Sequence, residues 1–126
     1  DKNKFQFFFL YSRRTPYLLK YSIRNAFANN SFIWSYEIDN PYWYLILNSD
    51  FFIVSSDSVS MTSDVLSTMK PVFIFRLKKM KKKIFNFQNY LIKKKLTREF
   101  TGKIYSWKSK KVSEGKRIVK QVLANL

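Results

Sequence analysis

The stretch FFIVSSDSVSMTSD, residues 51–64, decides the fold of this chain. Its four leading apolar residues are typical of a short strand that is buried on both faces of a parallel sheet. Hydroxyl side chains and one carboxylate follow at residues 55–60. Apolar residues then recur at helical spacing from Met61 to Met69, and Lys70-Pro71 is predicted to end this helix. A strand that turns directly into a helix leaves free backbone N–H groups at the positive end of the helix dipole. The turn is therefore predicted to hold a phosphate or a carboxylate.

A second turn of this kind follows the apolar run Phe5–Tyr11. Thr15 can cap a helix and Pro16 suits its first position, so the spacing predicts a helix over about 16–28. Arg13 and Arg14 then lie at a strand-to-helix turn, where paired guanidinium groups can grip a phosphate. The alternative is that both arginines are solvated or pair with local acids.

Short apolar runs alternate with helical patterns along the rest of the chain. They predict strands at 32–36 and 72–75, helices at 41–48, 84–95 and 113–126, a basic loop at 77–83, and an extended piece at 103–105. This order predicts one α/β domain over 1–126, with a Rossmann-like parallel sheet of about four or five strands and helices on both faces. Ligands bind beyond the carboxyl ends of such strands, so the turns at 12–16 and 55–60 are expected to form one anion-binding crevice.

The net charge of +16 is concentrated in the second part of the chain, because residues 76–126 hold seventeen Lys and Arg but two acids. One interpretation is a surface for nucleic acid or an anionic membrane. The candidate lysines are Lys78, Lys79, Lys81, Lys82 and Lys83. The favoured alternative is drift in an AT-rich genome, since Lys outnumbers Arg eighteen to six. Readers of nucleic-acid bases favour Arg, so nucleic acid is the less favoured partner.

Several kinds of chemistry are excluded by composition. The chain has no Cys and no His, which excludes disulfides, thiolate and imidazole catalysis and the usual zinc sites. No metal and no cofactor are predicted. The longest apolar stretch, 41–54, is interrupted by Asn48-Ser49-Asp50 and is too short to span a bilayer. We expect a cytoplasmic protein, with a peripheral position at a membrane as the alternative.

Five short motifs follow the pattern of one family in order and spacing. They are Ser12-Arg13-Arg14-Thr15-Pro16, Asn40-Pro41-Tyr42, Asp57-Ser58-Val59-Ser60-Met61 with Ser63-Asp64, Lys70-Pro71-Val72, and Phe100-Thr101-Gly102. From about Ser12 to Leu123 the chain resembles the plant mitochondrial-fission (elongated-mitochondria) proteins and their bacterial relatives, a family regarded as GT-B-type glycosyltransferases. The resemblance implies the C-terminal, nucleotide-sugar-binding half of a GT-B fold, and thus a fragment that lacks the N-terminal half.

The resemblance also implies a role for particular residues. The donor diphosphate would be held by Ser12, Arg13, Arg14, Thr15, Ser58, Ser60 and the backbone of Met61. Asp64 would bind the ribose, and its spacing of four from Ser60 puts both on one helix face. Departures from the family pattern are Asp64 for Glu, Met69 for Gly, lysines in place of a small loop at 78–83, and Gln88 for His.

Three functions remain open from the sequence. The first is the donor-binding part of a glycosyltransferase, whose missing N-terminal domain would supply the acceptor site and any catalytic base. The second is a non-enzymatic adaptor or scaffold of the mitochondrial-fission type, and the third is a basic module that binds membrane or nucleic acid. No close pair of carboxylates suggests acid–base catalysis, so catalytic residues are not assigned and this chain alone is not expected to turn over substrate.

Overall fold

The computed structural model describes residues 5–10, 17–27, 31–34 and 39–107, together with Lys120 and Ala124. The chain divides into two compact units, residues 1–45 and 46–126. The elements in chain order are β1 (Phe7–Leu10), α1 (Tyr17–Phe27), β2 (Ser31–Trp34), α2 (Tyr42–Asn48), β3 (Phe52–Ser55), α3 (Val59–Leu66), β4 (Val72–Phe75), α4 (Lys82–Lys93) and β5 (Arg98–Glu99). Strands and helices alternate and each described strand pair is parallel, so the predicted Rossmann-like α/β class is confirmed. That residues 1–126 form one domain stays a prediction.

The first unit contains a two-stranded parallel sheet. Strands β1 and β2 pair in register, with Phe7 opposite Ser31 and Leu10 opposite Trp34. The strands and helix predicted here are confirmed to within a few residues. The start of α2 is also confirmed, since the Tyr42 N–H donates to Asn40 Oδ1 at 3.0 Å and caps the helix.

The second unit is built on a three-stranded parallel sheet in the order β3-β4-β5. Strand β4 is central, and Val72, Phe73 and Ile74 are fully buried. The crossovers through α3 and α4 run in the same direction along the sheet, and right-handed connections place both helices on the same face. Their mutual packing agrees with this. Phe87, Leu91 and Leu96 form a buried cluster against which Val59 and Leu66 pack.

The opposite face of this sheet is covered by aromatic side chains. The Phe73 ring meets those of Phe100, Tyr105 and Trp107 nearly edge-on, with centroids 6.2, 5.3 and 5.1 Å away. This cover does not extend along the whole face, because Ile53 stays 40% exposed and Phe75 43% exposed. The prediction of strands buried on both faces is therefore correct at Phe73 and wrong at these two positions.

Some predicted boundaries are wrong. Helix α3 ends at Leu66, short of Met69, whose φ of 62° lies in the left-handed region that ends helices. Helix α4 takes in Lys82 and Lys83 from the predicted basic loop. The last strand is Arg98–Glu99 instead of an extended piece at 103–105, because Arg98 and Glu99 pair with Phe73 and Ile74 on β4. A strand of two charged residues has no apolar pattern from which it could be predicted.

The predicted helix at 113–126 lies outside the described residues, apart from Lys120 and Ala124, which are helical. In the part of the chain that is described, no helix has the length and apolar character needed to cross a membrane.

Helix α4 ends in a Schellman motif with lysine at the position that glycine usually occupies. The Leu96 N–H donates to the Leu91 carbonyl and the Lys95 N–H to the Ile92 carbonyl, both at 3.0 Å. Leu96 also packs against Leu91 in the buried cluster. Lys95 has a φ of 62°, and in this left-handed region its Cβ lies unfavourably close to the following carbonyl oxygen.

Replacing this lysine by glycine should stabilise the protein. Lys95→Gly removes the steric cost and is expected to raise the free energy of unfolding by about 0.5–1 kcal/mol, since glycine's greater freedom in the unfolded chain offsets part of the gain. Urea unfolding would measure the change. The control is Lys94→Gly, where φ is −80° and glycine should destabilise. Equal effects of the two substitutions would contradict this account.

Candidate anion-binding site at the carboxyl edge of the sheet

The turn between β3 and α3 leaves the start of the helix without a side-chain cap. The Ser58 N–H donates to the Ser55 carbonyl at 3.0 Å, which closes a tight turn. Ser58 is the N-cap residue, yet its hydroxyl makes no capping bond and instead lies 3.2 Å from Ser55 Oγ. The first intrahelical bond is from the Thr62 N–H to the Ser58 carbonyl at 3.0 Å. The N–H groups of the first helical turn are thus available to an anion.

Four residues predicted to contact the donor are placed at this helix start. Ser58 is the N-cap, Ser60 and Met61 lie in the first turn, and Asp64 follows one turn later. Ser60 is exposed, whereas Met61 and Asp64 are half-buried. Ser60 and Asp64 share a face of α3, as their spacing predicts.

The other predicted contacts cannot be placed beside them. Ser12, Arg13, Arg14 and Thr15 lie outside the described residues. The meeting of the two turns in one crevice therefore stays a prediction.

A buried polar cluster lies beneath the turn and joins it to α4. Gln88 is 0% exposed, and its Nε2 donates to the Ser56 carbonyl at 2.9 Å and to Thr62 Oγ1 at 3.3 Å. Thr62 Oγ1 in turn donates to the Ser58 carbonyl at 2.6 Å. Ser56 Oγ accepts the Leu77 N–H at 2.9 Å, which ties the turn to the end of β4. The turn is thus fixed by buried hydrogen bonds to α4 and to the end of β4.

Sequence reasoning missed the role of Gln88, although a signal was present. Gln88 lies next to Phe87 and one turn before Leu91, so its position in the helical period is an inward one. A polar residue there needs hydrogen-bond partners, and serines and threonines of the neighbouring turn were the candidates.

Asp57 offers the site an acceptor. Its Oδ1 is buried and has no hydrogen-bond partner among the described residues. A carboxylate next to a helix N-terminus interacts favourably with the helix dipole. Such an oxygen can accept a hydrogen bond from a hydroxyl group of a ligand.

Arg76 fixes the same edge of the sheet one residue beyond β4. Its Nε donates to Glu99 Oε1 at 2.5 Å in an ion pair, and its Nη2 donates to Asn89 on α4. The guanidinium also lies over the Phe85 ring, 5.3 Å from the centroid. Arg76 therefore links the ends of β4, β5 and α4, which is a structural role.

The lysine loop, residues 78–83, adjoins the turn. It begins one residue after Leu77, whose N–H is bonded to Ser56. All five of its lysines are exposed: Lys78, Lys79, Lys81, Lys82 and Lys83. None of them forms an ion pair with an acid in the described part of the chain, and the first turn of α4 contains no acidic residue. Within the described residues, the charges of these five lysines are therefore not neutralised by ion pairs.

Comparison with known proteins identifies the family of this chain. The family model for mitochondrial fission ELM1 proteins matches residues 1–126. The chain belongs to the mitochondrial fission ELM1 family. Uncharacterized protein RP120 of Rickettsia prowazekii (strain Madrid E) is 36% identical over 124 residues, covering 86% of this chain and 34% of that protein. Mitochondrial fission protein ELM1 of Arabidopsis thaliana is 36% identical over 93 residues, covering 72% of this chain and 22% of that protein.

The chain thus spans about a third of the first ELM1-family relative and less than a quarter of the second. No solved structure matches it.

One motif of the ELM1-family pattern lies away from the candidate site. Lys70 Nζ donates to the carbonyls of Ser49, at 2.5 Å, and Leu47, at 3.4 Å, at the end of α2. The Phe52 N–H donates to the Pro71 carbonyl at 3.0 Å. Lys70-Pro71 therefore joins the amino-terminal ends of β3 and β4 and neutralises the negative end of α2, which is a structural role.

Proposed function

We propose that this chain is the donor-binding part of a glycosyltransferase and that its β3–α3 turn binds the diphosphate of a nucleotide sugar. The observation that carries the proposal is the uncapped start of α3 at the carboxyl edge of a parallel sheet. There the Ser58 hydroxyl makes no hydrogen bond to the N–H groups of the first turn. The helix dipole and these N–H groups favour an anion. Carboxyl edges are also where α/β sheets of this kind bind their ligands.

Each residue of the site has a proposed role. Ser60 Oγ and the Met61 N–H donate hydrogen bonds to phosphate oxygens, and Asp64 accepts from the ribose hydroxyls. Asp57 Oδ1, which is buried with no hydrogen-bond partner among the described residues, accepts from a hydroxyl of the sugar. On the other side of the ligand, Arg13 and Arg14 neutralise the diphosphate, with Ser12 and Thr15 completing that turn. Fixed positive groups of this kind stabilise a leaving diphosphate as its charge develops.

The catalytic base and the site for the reacting group of the acceptor are supplied from outside this chain. The chain covers 34% of its Rickettsia relative, which leaves room for a second domain in the full-length protein. We place the protein in the cytoplasm.

A second function is favoured by the name of the Arabidopsis relative, a mitochondrial fission protein. On this proposal the fold acts as an adaptor in fission and the turn binds no sugar nucleotide.

A thermal-shift screen of nucleotide-diphosphate sugars tests the proposal. A true donor raises the melting temperature by mass action, and a concentration of 100 times Kd stabilises by about 2.7 kcal/mol. Asp64→Asn and Arg13→Gln should each weaken this response about tenfold, because each removes one charged hydrogen bond. No response to any sugar nucleotide would overturn the donor-binding proposal and favour the adaptor.

Matched substitutions control for charge. Asp50→Asn and Arg24→Gln remove the same kinds of charged group, at exposed positions before β3 and near the end of α1. They should leave the ligand response unchanged. An equal loss in the controls would show a general effect of charge and contradict the assigned site.

A further inference from the structure

The lysine loop lies beside the β3–α3 turn because hydrogen bonds hold the two together. The Ser56 N–H donates to the Phe75 carbonyl at 2.9 Å, and the Leu77 N–H donates to Ser56 Oγ at 2.9 Å. Lys78 follows at once, and the last two residues of the lysine loop, Lys82 and Lys83, begin α4. Parallel strands end at the same edge of a sheet, so the loop after β4 and the turn after β3 are neighbours on the side where ligands bind.

The charges of this loop work against the local fold. Lys81 is the N-cap of α4, and Lys82 and Lys83 are its first residues, so three cations lie at the positive end of a helix dipole. Acidic residues are favoured at such positions and cations are not. Lys81 makes no capping hydrogen bond either. Lysines at other positions of a helix would avoid this unfavourable interaction with the dipole. The placement of these three lysines therefore argues that an anion from outside the chain neutralises them.

We propose that the lysine loop binds a phosphomonoester group of a second ligand, next to the donor diphosphate. Naming that ligand as the acceptor rests on the proposed glycosyltransferase function; the phosphate site itself does not. A phosphomonoester carries a charge of about −1.5 to −2 and three strong acceptor oxygens. Flexible ammonium groups can approach such a group from several sides as point charges, and the N–H groups of the first turn of α4 add further donors.

The phosphomonoester could belong to a soluble sugar phosphate or to a lipid headgroup, and two probes distinguish these sources. Glucose 1-phosphate is titrated into the protein by calorimetry, with glucose as the blank. Phosphatidylcholine vesicles with and without phosphatidic acid are tested by co-sedimentation. Binding of glucose 1-phosphate supports a soluble ligand, and binding of phosphatidic-acid vesicles alone supports a lipid one.

Helix α4 provides its own matched control, because it has three exposed lysines at each end. The first variant carries Lys81→Gln, Lys82→Gln and Lys83→Gln; the second carries Lys93→Gln, Lys94→Gln and Lys95→Gln. Both lose the same charge, but the two ends are about 18 Å apart, beyond the Debye length of about 8 Å at physiological salt. The first variant should weaken binding about tenfold or more and the second less than about twofold.

The melting temperatures of the two variants show whether a loss of binding is caused by unfolding. The first variant should melt at a slightly higher temperature than the parent and the second at a slightly lower one, because of the helix dipole. Weaker binding by the more stable variant then cannot result from unfolding.

Two results would overturn the proposal: neither probe binds the parent protein, or both variants lose affinity equally. Failure of the donor function is a separate result. If sugar nucleotides give no thermal shift while the phosphate probe still binds through the lysine loop, the transferase proposal is wrong and the phosphate site stands.

Discussion

Gln88→Glu is expected to be tolerated at pH 4 and to destabilise the protein by about 3 kcal/mol at pH 7 relative to the parent at the same pH. Gln88 is fully buried and donates from Nε2 to the Ser56 carbonyl and Thr62 Oγ1. A protonated carboxyl at this position can still donate one hydrogen bond, whereas an ionised one cannot.

The direction of this pH dependence follows from the pKa of the introduced carboxyl group. Burial raises its pKa in the folded protein above the value of about 4.3 that a glutamic acid has in an unfolded chain. The folded state then binds more protons than the unfolded state, so stability is lost as pH rises from about 4.3 to the raised pKa. A shift of about two units corresponds to about 3 kcal/mol.

Urea unfolding of the variant and the parent between pH 4 and pH 7.5 measures this loss. Asn86→Asp makes the same amide-to-acid change at an exposed position of the same helix and should stay within about 0.5 kcal/mol throughout. A pH-independent difference would show that the introduced carboxyl keeps its unfolded-state pKa in the folded protein, which contradicts the buried position assigned to this side chain.

Phe73→Ala should cost about 3–5 kcal/mol of unfolding free energy, the range for removing a fully buried aromatic side chain. Phe73 is 0% exposed and its ring meets those of Phe100, Tyr105 and Trp107. The change removes the centre of the aromatic layer and leaves a cavity that three large side chains can fill only in part.

Phe75 provides the matched control, since it lies two residues along the same strand and on the same face. It is 43% exposed, and its recorded ring contact is a tilted one with Phe100 at 6.5 Å. Phe75→Ala should cost less than half as much as Phe73→Ala in chemical unfolding followed by circular dichroism. Similar costs at the two positions would contradict the proposed aromatic layer.

Much of the fold could be predicted because apolar patterning and caps act locally. Strand Val72–Phe75 was predicted residue for residue, and the cap of Asn40 on α2 was predicted from the Asn-Pro pair. Buried runs of four residues between helical patterns have few solutions other than a parallel α/β sheet. The short strand Arg98–Glu99 was not predictable, since its partner on β4 lies more than twenty residues away.

For the candidate site, the sequence by itself determined the chemistry of the turn: hydroxyls and an acid at residues 55–64 between a strand and a helix, and a lysine-rich stretch after the next strand. Only the tertiary structure decided that these two segments are neighbours and that Gln88 and Thr62 fix the turn from beneath. It also decided that Lys70 donates to the carbonyls at the end of α2. The reason is physical: local patterns encode which side chains are available, but long-range strand pairing and buried hydrogen bonds choose which of them meet.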